Sequence, residues 1–118
     1  MVTTRKVVAG ETLFMEEPVV HGPSQTGPPV CLTCYAPVSP ATTCARCGYP
    51  MCDDTCAGDQ SHVAECRILA RGDRPVFDEQ GETEAYHCIL PLRLLLLARE
   101  DPNRYLSHRF GTLGYITI

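Results

Sequence analysis

The distribution of cysteines is the feature that most constrains this chain. Seven of its eight cysteines lie between Cys31 and Cys66, a window of 36 residues, and only Cys88 lies outside it. A segment shorter than about 40 residues seldom buries enough surface to fold unaided, so disulfide bonds or metal ions usually stabilise it. Residues 31–66, called the cysteine window below, therefore need cross-links of one of these two kinds.

The cellular compartment decides between disulfides and metal. The first six residues are not followed by the apolar run of a secretory signal peptide. The longest apolar run, residues 94–98, is too short to span a bilayer. We therefore expect a reducing compartment (nucleus and/or cytoplasm) and no membrane partner. Clustered cysteines in such a compartment indicate metal binding, and a disulfide set, for which eight cysteines allow 105 pairings, is the alternative.

Eight potential metal ligands form four closely spaced pairs. Structural zinc takes four tetrahedral thiolate or imidazole ligands, and gaps of two to four residues let one turn present two of them. The pairs are Cys31-x2-Cys34, Cys44-x2-Cys47, Cys52-x3-Cys56 and His62-x3-Cys66. They predict two closed zinc sites with no open position for catalysis. The spacing leaves open whether the pairs interleave or combine in sequence, although the last pair, four residues apart, fits one helix face.

Composition divides the chain into three parts and predicts a small, zinc-stabilised α+β fold. Residues 1–30 contain two short strands within residues 5–20, around a turn at residues 9–11, and then an irregular linker. Residues 31–66 are the zinc-binding part, with helical spacing over residues 60–70. Residues 67–118 are helical, and residues 85–100 form the strongest helix candidate, with Pro91 at a first turn or a kink. This helix is apolar nearly all round, so we expect it to need a partner or further sequence to cover it.

The remaining candidate residues have simpler interpretations. Cys88 lies on the apolar helix and is expected to be a buried, inert thiol. We expect Arg93 to extend its charge to water or to pair with a carboxylate. The acidic run at residues 78–84 is interpreted as a solvated loop. Three histidines have no ligand-spaced partner and are not predicted to bind zinc: His21, His87 and His108.

The order of the ligands, six cysteines followed by a histidine and a cysteine, resembles the MYND finger, a cross-braced two-zinc module. In that family the ligand pairs interleave. The resemblance therefore implies that one structural zinc is held by Cys31, Cys34, Cys52 and Cys56, and the other by Cys44, Cys47, His62 and Cys66.

The flanking sequences resemble the SMYD family of SET and MYND domain proteins, in particular its arthropod SmydA-like members. Residues 8–18 are similar to the start of a SET domain, and residues 88–96 to the helix that follows the finger in that family. SMYD proteins are S-adenosylmethionine-dependent protein-lysine methyltransferases that act on histones and other proteins. The resemblance thus implies SET-like N-terminal strands, a MYND finger and C-terminal helices.

The residues that this family uses for catalysis have no counterpart in the chain. The only asparagine, Asn103, is followed by Arg104 rather than by histidine, and no cysteine follows Cys88. The sequence before Val7 also lacks the glycines of the first SET strand. We therefore expect an N-terminal part of a SMYD-like protein with no catalytic or cofactor-binding residues of its own. S-adenosylmethionine is expected only in a complete parent protein.

The resemblance also indicates a function. MYND fingers bind short proline-containing peptides and recruit partner proteins, often co-repressors in transcription regulation, so we expect a protein-interaction module. The alternatives are a part of a methyltransferase and a purely structural finger. Nucleic-acid binding is disfavoured because phosphate affinity requires Lys or Arg. The cysteine window has one such residue, Arg46, against four acidic residues: Asp53, Asp54, Asp59 and Glu65.

Overall fold

The computed structural model describes residues 2–15, 17–77 and 84–111, with side chains through residue 106. Regular structure in these residues is helical: α1 (Asp54–Ala57), α2 (Gln60–Leu69), a 3₁₀ helix (Ala85–Cys88), α3 (Ile89–Glu100) and α4 (Pro102–Gly111). None of these helices has the length and apolar character needed to cross a membrane. Residues 78–83 of the predicted acidic loop and the side chain of His108 lie outside the described residues.

The prediction of two SET-like strands within residues 5–20 is wrong for the described residues of that segment, which contain no strand. The predicted turn is present: the Glu11 N–H donates to the Val8 carbonyl at 3.2 Å, and Gly10 has φ of +85°. However, Phe14 and Met15 are 65% and 88% exposed. Two strands are stable in water only when an apolar face packs against other structure, and this segment lacks such packing.

The described residues of the fold are therefore helical and irregular rather than α+β. Their only β pairing consists of two isolated antiparallel bridges, Val30 with Pro37 and Thr43 with Pro50. Both bridges lie in or beside the cysteine window, where they close the two short turns that carry cysteine pairs.

The predicted helix over residues 60–70 is confirmed as α2, which ends at the cap residue Ala70. Its first turn is stabilised by the side chain of Asp59, which accepts a hydrogen bond from the Ser61 N–H at 2.9 Å. The short helix α1 begins in the same way, because Asp53 accepts from the Cys56 N–H at 2.9 Å. Both capping aspartates thus fix helices that carry predicted zinc ligands.

The strongest predicted helix, residues 85–100, forms in two parts. The first turn is the 3₁₀ helix and the remainder is α3, with Pro91 in its first turn. Proline is tolerated there because its missing N–H would have no partner within the helix. Ile89 is buried, but Leu95 is 69% exposed, so the described residues cover the apolar surface of α3 only in part.

The core is centred on the cysteine window and extends into the segment that follows it. Its buried side chains are Cys31, Leu32, Cys44, Cys47, Tyr49, Met51, Cys66, Tyr86 and Ile89. The Tyr86 hydroxyl accepts from the N–H of Val30 and donates to its carbonyl, each at 3.0 Å. Phe77 adds to the aromatic packing, with its ring centroid 5.3 Å from that of Tyr86. Residues after position 66 therefore complete the core.

Candidate metal centre

Two clusters contain all eight predicted ligands. Within each, the ligand atoms lie within 4.8 Å of one another. The first cluster consists of Cys31, Cys34, Cys52 and Cys56, and the second consists of Cys44, Cys47, His62 and Cys66. The pairs are thus interleaved in space rather than combined in sequence, which is the arrangement that the resemblance implies.

Two similar turns position the first halves of the clusters. The first knuckle is residues 30–37 and the second knuckle is residues 43–50, and each begins and ends at one of the isolated bridges. In both, the first cysteine accepts a hydrogen bond from the N–H four residues later and donates its own N–H to the carbonyl five residues later. The four bonds are Tyr35 N to Cys31 O, Cys31 N to Ala36 O, Gly48 N to Cys44 O and Cys44 N to Tyr49 O, all of 2.8–2.9 Å. The two knuckles therefore share the same pattern of backbone hydrogen bonds.

The residue after each second cysteine has a left-handed backbone. Gly48 adopts φ of +81° without steric cost, whereas Tyr35 adopts φ of +62° in the equivalent position. The Tyr35 hydroxyl hydrogen-bonds with Nδ1 of His21 at 2.7 Å and accepts from Nη1 of Arg93 at 2.7 Å. These contacts offset the strain of a non-glycine residue in this conformation.

The knuckles also promote ionisation of their first cysteines. Burial opposes ionisation of the Cys31 thiol, but backbone N–H groups, that of Cys34 first, donate to its sulfur and lower its pKa to about 6. Cys44 behaves in the same way: burial opposes ionisation, and the Cys47 N–H and the His62 ring lower its pKa to about 6. Thiolate is the form that binds metal, so each cluster has one thiol prepared for ligation.

The other thiols show why a cation is needed. Burial and the negative charge of Cys47 raise the pKa of Cys66 to about 12. Hydrogen bonding with the Cys34 sulfur raises the pKa of Cys52 to about 11. Neighbouring thiolates repel one another, and a bound cation reverses this effect. The clusters therefore have the electrostatics of cation sites.

The helices supply the remaining ligands. In the first cluster Cys56 lies on α1, and Cys52 precedes that helix; Sγ of Cys52 lies 3.5 Å from Sγ of Cys56 and 3.3 Å from Sγ of Cys34. In the second cluster, His62 and Cys66 share one face of α2. The Cys66 sulfur lies 3.9 Å from that of Cys44, and Nε2 of His62 lies 3.9 Å from the Cys47 sulfur.

These dimensions fit zinc. Tetrahedral zinc with bonds of about 2.3 Å to sulfur separates two sulfurs by about 3.8 Å. The Cys44–Cys66 distance of 3.9 Å matches this value, and the distances of 3.3 and 3.5 Å in the first cluster are somewhat shorter. His62 is buried, and its Nδ1 makes no hydrogen bond within the described part of the chain but lies 3.5 Å from Oε1 of Glu65. An imidazole that binds metal through Nε2 carries its proton on Nδ1, where a carboxylate can accept it. Each cluster can therefore hold one zinc ion, and four protein ligands leave no position for a substrate.

One residue near the clusters, Cys88, differs from the sequence-based expectation. Cys88 is exposed rather than buried. The 3₁₀ turn points Tyr86 and Ile89 inward, and the Cys88 sulfur lies 3.3 Å from the Tyr49 hydroxyl at the surface of this packing. His21 belongs to neither cluster.

Arg93 pairs with a carboxylate, as predicted. Its Nε donates to Oε2 of Glu65 at 2.7 Å, and its Nη2 donates to Oε1 at 2.8 Å. Sequence reasoning missed the identity of this partner, since the two residues are far apart in the chain. The available signal was the position of Glu65 three residues after His62, on the same face of α2.

Comparison with known proteins identifies relatives. The chain is 31% identical over 105 residues to the SET domain-containing protein SmydA-8, isoform A, of Drosophila melanogaster, and 28% identical over 102 residues to isoform B. The matches cover 83% and 80% of this chain. The chain is thus similar to proteins of the SMYD family over most of its length. No protein-family model matches the chain. No solved structure matches it either.

The similarity to SmydA-8 includes both clusters. A match to 83% of 118 residues leaves only about 20 uncovered, so it contains the whole cysteine window wherever it begins. The matches extend over only 22% of each SmydA-8 isoform, so the chain spans about a fifth of the length of these relatives. The two clusters together form a module that can bind two zinc ions.

Proposed function

We propose that this zinc-binding module is a protein-interaction module that binds proline-containing peptides of partner proteins. The observation that carries the proposal is a groove of about 770 Å³ beside the clusters. The groove is lined by residues 17–21, by the first knuckle, by α2 and α3, and by Arg104 of α4. This volume is in the range of ligand sites in proteins.

The chemistry of the groove suits an extended peptide. Leu96 and Leu97 provide partly exposed apolar surface, and Gln60 places an exposed amide group beside it. A polyproline II segment makes no internal hydrogen bonds, so its carbonyl oxygens are free to accept bonds from such groups. Proline-rich segments also lose little conformational entropy on binding. Partners of this kind include co-repressors, and the corresponding site of action is the nucleus and/or the cytoplasm.

The proposal can be tested with a variant that places a large side chain in the groove. Ala64 of α2 lines it, whereas Ala70, the cap residue of the same helix, does not. The zinc-loaded chain is applied to an array of proline-containing 12-residue peptides and to the same peptides with each proline replaced by alanine. We expect Ala64→Arg to weaken binding at least about tenfold, because it places a charged side chain in the centre of the docking surface. Ala70→Arg, the matched control, retains binding.

Two results contradict the proposal. One is equal binding of the proline-containing peptides and their alanine counterparts. The other is equal loss of binding in Ala64→Arg and Ala70→Arg while both variants retain two zinc ions, because this pattern places the peptide outside the groove.

A second function is favoured by the name of the relatives, SET domain-containing protein. In this alternative the chain forms part of an S-adenosylmethionine-dependent protein-lysine methyltransferase. Native mass spectrometry of the reduced chain, with and without S-adenosylmethionine, distinguishes the two. The interaction-module proposal predicts two zinc ions and no cofactor adduct, and a specific adduct would instead favour methyl transfer.

A further inference from the structure

All five guanidinium N–H donors of Arg93 are engaged. Two of them bind the carboxylate of Glu65. The other three donate to the Leu32 carbonyl at 2.8 Å, the His21 carbonyl at 2.8 Å and the Tyr35 hydroxyl at 2.7 Å. One side chain of α3 is therefore fixed by contacts to α2, to the first knuckle and to the segment before it. Because every N–H of the planar guanidinium makes a hydrogen bond, the position and orientation of the Arg93 side chain are closely defined.

The carboxylate that Arg93 contacts is almost fully buried, since Glu65 is 1% exposed. A buried carboxylate is costly unless it is paired and hydrogen-bonded. Here both oxygens accept from Arg93, and this bidentate pairing sets the plane and direction of the carboxylate. Without the guanidinium, the Glu65 carboxylate would lose its bidentate positively charged partner, and its orientation would no longer be fixed.

The same carboxylate faces a predicted zinc ligand. Its Oε1 lies 3.5 Å from Nδ1 of His62, and the opposite ring nitrogen, Nε2, points toward Cys47. Carboxylates that accept the second N–H of a metal-binding histidine fix the ring orientation and strengthen the ligand. A small rotation of the ring closes the 3.5 Å gap to hydrogen-bonding distance.

We propose that Arg93 and Glu65 act as a positioning pair for His62, so that metal retention in the second cluster depends on the docking of α3. The dependence is selective, because the first cluster has four cysteines and no histidine whose ring must be oriented. The inference goes beyond peptide binding and does not rest on it. It assigns α3, which lies outside the cysteine window, a role in one metal site and not in the other.

The experiment measures metal loss from each cluster separately in the full chain. Zinc-loaded protein is challenged with a chelator, newly freed thiols are alkylated, and mass spectrometry assigns the modified cysteines to the first or the second cluster. Cobalt substitution adds a spectroscopic signature, since a four-cysteine site and a three-cysteine, one-histidine site absorb differently. The variants are Arg93→Met, Arg93→Lys and Glu65→Gln, with Tyr35→Phe as the control. Tyr35→Phe removes one partner of Arg93 and leaves the contact with Glu65 intact.

We expect Arg93→Met and Glu65→Gln to accelerate metal loss from the second cluster by about 10-fold or more, the usual effect of removing such a partner. In Glu65→Gln the first cluster changes by less than about twofold; in Arg93→Met, which also removes two contacts to the first knuckle, it changes by less than the second cluster does. Arg93→Lys gives an intermediate rate of metal loss from the second cluster, because lysine keeps the positive charge but lacks the planar guanidinium that binds both carboxylate oxygens. Tyr35→Phe resembles the unmodified protein in the second cluster.

Equal acceleration in both clusters would show that Arg93 only holds the fold together, and would overturn the proposal. An unchanged second cluster in Glu65→Gln would overturn it too. If Arg93→Met binds no metal at all, Arg93→Lys and Glu65→Gln decide: selective loss from the second cluster supports the proposal, and unselective loss contradicts it.

Discussion

At the scale of single residues, the two knuckles meet the same backbone requirement with different side chains. A left-handed residue follows the second cysteine in each, and it is Gly48 in one and Tyr35 in the other. Glycine is the expected residue, because it alone adopts this conformation without strain. At the first knuckle the residue is tyrosine, and the hydrogen bonds of its hydroxyl connect the knuckle to Arg93.

Gly48→Ala should lower the free energy of unfolding by about 1–2 kcal/mol, the cost of placing a Cβ in the left-handed region. The new Cβ would also lie 3.3 Å from Cγ of Arg74. Urea unfolding at a fixed free zinc concentration measures the loss. Gly72→Ala is the matched control, because Gly72 is not left-handed and its added Cβ meets no atom closer than 3.7 Å. Equal stability of the two variants would argue against backbone strain as the cause.

At the scale of elements, local signals predicted α2 and the helical segment that contains α3, but not the short helix α1. Residues 60–70 combine helical spacing with a capping aspartate, and α2 begins and ends within one residue of the predicted bounds. The pairing of cysteines could not be predicted from spacing, since interleaved and sequential arrangements satisfy the same gaps. Only the resemblance to MYND fingers implied the interleaved arrangement, and the structure groups the potential ligand atoms in these two sets.

Elements that depend on distant contacts were predicted less well. Strand-forming residues near Val8 do not form strands in the described chain, because strands need partners that propensity alone does not supply. Cys88 was placed inside because its neighbours are apolar, but the 3₁₀ turn before α3 changes which side chains point inward. The pairing of Arg93 with a carboxylate was predictable from chemistry. Its pairing with Glu65 in particular required the fold.

At the scale of the whole molecule, the clusters and the segment after them form one packed unit. Tyr86 and Ile89 are buried against the cysteine window, and Arg93 extends the connection along α3. By contrast, the N-terminal segment exposes Leu13, Phe14 and Met15. Stability in the described chain therefore depends on the clusters, which lie at the centre of the packed unit rather than at its edge.

Removal of zinc should consequently unfold more than the cysteine window. The thiolates of each cluster repel one another without a cation, and the small apolar core cannot offset this repulsion together with the loss of cross-links. We expect exhaustive chelation of the reduced protein to lower the helical circular dichroism of the chain, because α2 carries two of the ligands. It should also change the tyrosine fluorescence, because Tyr49 lies within the window, Tyr86 packs against it and the chain has no tryptophan. A chelator presaturated with zinc is the control, and zinc readdition should restore both signals. A chain that kept its helicity and its tyrosine signal with no bound zinc would show that hydrophobic packing alone holds this unit together.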